Sequence, residues 1–81
     1  MEIYIIVGYR DMEFKGKDGD LVSGRKYYYT CVQNGVTGVA CDFFFVTKEA
    51  MSALAYIPNV DDEVEVYFNR YGKVSQIREC R

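Results

Sequence analysis

Residues 63–69 alternate without a break: Glu63, Glu65 and Tyr67 fall on one parity, and Val64, Val66 and Phe68 on the other. A helix would scatter the two sets around its circumference. A strand points successive side chains to opposite faces and sorts them into one wet side and one dry side. Glu63 to Asn69 therefore predicts a half-buried strand, and such a strand needs a sheet. Glu2 to Arg10 supplies one partner, with β-branched Ile3, Ile5, Ile6 and Val7, and with Gly8 placed for a bulge or bend. Arg25 to Gln33, rich in Tyr, Thr and Val, supplies a second. Asn34-Gly35 and Gly38 then mark a hairpin, because Asn and Gly tolerate positive φ, and Val39 to Val46 returns as a third strand. Tyr71-Gly72 turns the chain into a last strand, Lys73 to Glu79.

Between the third and fourth strands, Thr47 is placed to cap a short helix over Lys48 to Tyr56. Ala50, Met51 and Leu54 fall at helical spacing on it, and Pro58 and Asn59 end it. Asp11 to Gly24 mixes charges with three glycines and has only Met12, Phe14, Leu21 and Val22 as apolar anchors. It reads as a long mobile loop whose ends can extend the flanking strands. Strand, strand, strand, short helix, strand, strand is the order of the OB-fold, a five-stranded barrel whose closure removes exposed edges. The expectation is an all-β chain, mainly β with one helix, forming a single OB-fold-like domain over residues 1–81. An SH3-like barrel or an open antiparallel α+β sheet would give a similar string.

The composition narrows the chemistry. There is no His, which removes the commonest general base and the usual partner of a Ser or Cys nucleophile. Cys31, Cys41 and Cys80 form no C-x-x-C pair and are expected as reduced thiols, two of them in the core. Neither a zinc site, a phosphate loop nor a nucleophile constellation is present, so no catalysis and no cofactor are expected. No apolar run approaches the roughly 20 residues of a membrane span, and a soluble cytoplasmic protein is expected.

An OB-fold binds oligonucleotides on the face of strands two and three and through the loops joining strands one to two and four to five. Two clusters fall in these places. Gly24-Arg25-Lys26-Tyr27-Tyr28-Tyr29 opens strand two, with Tyr27 and Tyr29 on one face and Tyr28 on the other, so at least one ring faces away from the core. Arg70-Tyr71-Gly72-Lys73 repeats the chemistry at a tight turn. Bases stack on aromatic rings while cations follow the phosphates. The same tyrosines also suit an ordinary sheet surface. Phe43-Phe44-Phe45 cannot enter one core together, and its outward rings require a loop, a subunit interface or a stacked ligand to cover them. The net charge of −2 opposes nucleic acid binding, but the charge is polarised. Residues 41–65 hold six acids and one base, and residues 66–81 hold four bases and one acid.

Over residues 12–79 the layout resembles the helix-destabilising, single-stranded DNA-binding proteins of filamentous phages and their relatives on bacterial mobile elements. Gly24 to Tyr28 resembles that family's Gly-Lys-x-Tyr-like start to strand two. Tyr71-Gly72 leading to Ile77 and Arg78 resembles its aromatic-Gly hairpin tip and arginine-bearing last strand. The resemblance implies a homodimeric OB-fold that coats single strands without sequence preference during DNA replication. The chain departs from the pattern at 34–38, where the family carries a further aromatic and this hairpin has none. The expected site comprises Tyr27, Tyr28 and Tyr71 as stacking rings, with Arg10, Lys15, Lys17, Arg25, Lys26, Arg70, Lys73 and Arg78 at phosphates. The expected partner is single-stranded nucleic acid, DNA before RNA. The alternative is a β-barrel protein-interaction or dimerisation module.

Overall fold

The computed structural model describes residues 3–80, so the expected strand start at Glu2 and the charge of Arg81 lie outside the described residues. Five strands and one helix occur in the expected order: β1 Tyr4–Lys15, β2 Leu21–Cys31, β3 Ala40–Thr47, α1 Lys48–Ser52, β4 Glu63–Phe68 and β5 Val74–Glu79. All pairings are antiparallel, and the hydrogen-bonded order is β3-β2-β1-β4-β5. The sheet curls until β3 and β5 approach each other, but these two edges are not paired. The fold is thus a mainly β, single-sheet structure, and the expected closed barrel is not formed by its hydrogen bonds.

Parity decides what the sheet buries. Cross-strand partners share a face. Tyr27 lies opposite Phe44 and Tyr9, and Tyr29 lies opposite Ile6. On the inner face Tyr27, Tyr29, Cys31, Phe44, Val46, Ile6, Val64, Val74 and Ile77 form the core. Its centre is aromatic: Tyr4 stacks on Tyr29 with centroids 3.9 Å apart, and Tyr27 lies against Phe44 at 5.3 Å. Buried Tyr27 keeps its hydroxyl satisfied by donating to the Pro58 carbonyl at 3.2 Å. Of Phe43, Phe44 and Phe45, Phe44 is the one that points inward. Cys31 alone is a core thiol. Cys41 is exposed and Cys80 half-buried, against the expectation of two in the core, and all three are free.

The largest departure from the sequence reading is the segment 11–24. It is an arm of paired strand, with β1 and β2 in register from Asp11↔Arg25 to Lys15↔Leu21 and only residues 16–20 left as the turn. Its charges obscure an alternation. Asp11 and Glu13 bond across to Arg25 and Ser23 on one face, while Phe14 on the other meets the Phe45 ring at 5.7 Å. A radius of gyration of 13.3 Å, against roughly 11.7 Å for a compact 81-residue domain, reflects the projecting arm. The Gly8 bend is where expected, as a register shift between Ile6 and Gly8.

The helix is shorter than its periodicity predicts. Thr47 caps it, its Oγ1 accepting from the Ala50 amide at 3.2 Å. After Ser52 the amides of Ala53 and Leu54 reach back only three residues, and the Ala55 amide donates to Gln76 Oε1 at 2.8 Å, which draws the chain onto the sheet. Ala50, Met51 and Leu54 still pack on the core.

Gly24 holds the arm to β3. A Cβ there would sit 2.5 Å from Phe45 Cζ and collide with the Val46 carbonyl. Gly24→Ala is expected to destabilise the protein by about 1–3 kcal/mol, as overpacking does. Urea denaturation checks this, and an unchanged midpoint would show that Phe45 does not lie over the glycine.

Candidate nucleic-acid interface

With Tyr27 and Phe44 turned inward, the next residues of β2 and β3 must face out. Lys26 lies opposite Phe45, and Tyr28 opposite Phe43, on the outer face. Lys26 Nζ sits 3.9 Å from the Phe43 ring centroid and 5.5 Å from that of Tyr28. Phe43 is 50% exposed, and the half-buried Lys26 side chain lies against its ring. From β1, exposed Arg10 stands directly opposite Lys26. The neighbouring partners on that face are Tyr28 with Gly8, and Gly24 with Met12, so no carboxylate answers this pair of like charges.

The β4–β5 turn approaches the same surface. Asn69 Oδ1 accepts from the amides of Tyr71 at 2.9 Å and Lys73 at 3.1 Å, and Gly72 takes the positive φ of 77° that closes the turn. The turn leaves Tyr71 71% exposed, with Arg70 Nη2 donating to its hydroxyl at 2.9 Å. Lys73 and Gly72 line a groove of about 370 Å³ whose other wall is Phe43 to Thr47. Phe43, under Lys26, thus shares the groove with Lys73, and Arg70 and Tyr71 stand on the same turn as Lys73.

Other expected residues lie elsewhere. Tyr27 is fully buried, so neither of its ring faces is open to a base; the period of two pairs it with Tyr29 but does not say which face is inside. Arg25 belongs to the inner side of the arm. Its Nε donates to Asp11 Oδ1 at 2.7 Å, its Nη1 donates to the Tyr27 hydroxyl at 3.4 Å, and its guanidinium lies 4.1 Å from the Tyr9 ring centroid. These partners occupy it, and it is not free to meet a phosphate. Lys15 and Lys17 lie at the arm tip, where Lys17 is followed by Asp18 and Asp20. Arg78 stands opposite Glu65 on β5, separated from β2 by β1 and β4. Phe43 and Phe45 are absent from the expected set, although the triple phenylalanine signals that at least one ring must face out.

Among the described residues no cluster of His, Cys, Asp or Glu could hold a metal, and no helix is long and apolar enough to cross a membrane. Comparison with protein-family models, curated proteins and solved structures gives no match.

The Arg25 hydrogen bond holds the Asp11 carboxyl below its ordinary value. A depressed folded-state pKa contributes stability that is present above the unfolded value of about 3.9 and is lost as pH falls through the folded value. Asp11→Asn should therefore lower the urea midpoint at pH 7 and converge with wild type in strong acid. Parallel profiles across that range would show that the pair carries no net stability.

Proposed function

We propose that the chain is a non-enzymatic OB-type domain that binds single-stranded nucleic acid, DNA in preference to RNA, along the outer face of β2–β3 and the β4–β5 tip. The observation that carries this reading is the Arg10–Lys26 pair: two cations opposite each other, beside the exposed ring of Phe43 and the half-buried ring of Tyr28, with no carboxylate among their cross-strand partners. Phosphates supply the missing charge, and unpaired bases supply π-faces that stack on the rings. Duplex bases already stack on one another and offer no such faces. Because every base has a π-face, stacking tolerates any sequence, as a protein that coats replicating phage or mobile-element DNA requires. The sheet order supports the OB-type reading, since only a β3–β5 pairing is missing from a five-stranded barrel, and OB barrels are partly open.

A second surface favours self-association. Ile3, Ile5, Val32 and Val39 border an apolar groove of about 360 Å³ at the other end of the outer face, all four exposed. A homodimer formed there leaves the cationic face free, and such a groove also suits the alternative reading as a purely protein-binding module.

Fluorescence anisotropy with labelled oligothymidylate and a duplex, at low and moderate salt, tests the proposal. Single-strand binding should be tight and salt-sensitive, and duplex binding weak. Tyr71→Ala should cost about 1–3 kcal/mol of affinity. Lys73→Ala should weaken binding and reduce the salt slope by about 1. Absence of binding at low salt, where electrostatic attraction is strongest, would leave the protein-binding module.

A further inference from the structure

The groove between the two unpaired edges is built differently from the outer face. Its walls are Phe43 to Thr47 and Ala50 on one side, and Phe68, Gly72, Lys73 and Val74 on the other. Lys73 is the only charged residue among them. Phe68 belongs by parity with inward Val64 and Val66, yet it is 45% exposed. At this end of the sheet the β4–β5 register shifts between Tyr67 and Phe68: Ser75 is the extra residue on β5, and Val74 is turned inward opposite Phe68. Such bulges re-aim side chains and end pairing. Here the bulge sets Val74 against Phe68, whose ring lines the seam beside the turn that carries Lys73 and Arg70.

We infer that this seam takes one unpaired base of the bound strand, stacked against Phe68, with the adjoining phosphate at Lys73. The inference rests on the proposed function and adds to it a binding residue, Phe68, and a pocket for a base. Four observations select a base as the occupant. Phe43 forms both a wall of the seam and the ring under Lys26, so a strand lying on the outer face reaches the groove without interruption. The only charge on the walls is positive. At about 370 Å³ the space falls at the small end of ligand sites, which span roughly 300–1,000 Å³. β3 and β5 are the ends of the sheet, so each also presents unpaired peptide groups that can hydrogen-bond the edge of a base.

The test compares labelled oligothymidylate with an abasic deoxyribose-phosphate strand of the same length. Phe68→Leu, which keeps an apolar side chain but removes the ring, should weaken oligothymidylate binding about tenfold or more and leave the abasic strand unaffected, while Phe68→Tyr restores binding. If Phe68→Leu binds oligothymidylate as wild type does while Tyr71→Ala loses affinity, the seam inference is overturned and the proposed function stands. If wild type binds neither strand, both fall. If Phe68→Leu leaves DNA binding intact but converts a dimer to a monomer in sedimentation, the occupant is a second copy of the chain and the inference is again overturned. Should the Leu variant unfold, titrating thymidine 5′-monophosphate into isotopically labelled wild type decides: shifts at Phe68, Val74 and Lys73 support the base pocket, and shifts confined elsewhere refute it.

Discussion

The pairing of Tyr27 with Phe44 across β2 and β3 governs the rest of the sheet. These two rings, with Tyr29 and Tyr4 stacked beside them, occupy the centre of the core. A strand has a side-chain period of two, so fixing one residue on one face fixes its neighbours on the other. With Tyr27 and Phe44 inside, Lys26, Tyr28, Phe43 and Phe45 have no place but the outside. The aromatic surplus of the chain is thus divided by one choice into a core and a surface platform. A slip of one residue would bury Lys26 and expose Phe44, Val46 and Tyr29, so the register is strongly specified.

The arm depends on the same division. Phe45, sent outward, needs a surface to cover, and it lies over Gly24 and against Phe14. Gly24 therefore gives a ring a place to cross β2, and that crossing helps to keep residues 11–24 as paired strand. On the inner side, Asp11 and Tyr9 clamp the Arg25 guanidinium above the Tyr27 hydroxyl. Arg25 thereby serves as a cap on the core's edge.

Some of this is legible in the sequence and some is not, for physical reasons. Alternation announces β4, the Asn34–Gly38 glycines announce the β2–β3 connection, Gly8 announces a bulge, and Thr47 announces a cap, because each signal is local. Length of pairing is not local. The arm reads as a loop because its strand pattern is written half in charges, and only the partner residues Arg25 and Ser23 show what those charges bond. The helix stops early where its last amides tighten to three-residue bonds and a distant glutamine, Gln76, takes the Ala55 amide. Tyr27 and Tyr28 can be separated by parity but not assigned to a face, since that requires knowing which side the rest of the sheet covers. Val74 is brought inward opposite Phe68 by a bulge that interrupts the parity of β5, and no residue type marks that bulge.

The outer face breaks a rule that the rest of the sheet obeys. Elsewhere, polar partners across strands are complementary: Asp11 with Arg25, Glu13 with Ser23, Glu65 with Arg78. Arg10 opposite Lys26 is the exception. Like charges facing each other on a sheet destabilise it by a fraction of a kcal/mol to about 1 kcal/mol, small enough for the fold to tolerate. A chain whose local choices otherwise agree with its fold tends to break them where it meets something else. On the proposed reading the repulsion is relieved when a phosphate lies between the two cations, so part of the attraction for a strand is stored in the free protein. The same reasoning accounts for the net negative charge. Five of the twelve acids lie around the helix and the start of β4 and four on the arm, and none is a cross-strand partner of Arg10 or Lys26, so the overall sign says little about the field a strand meets at Lys26.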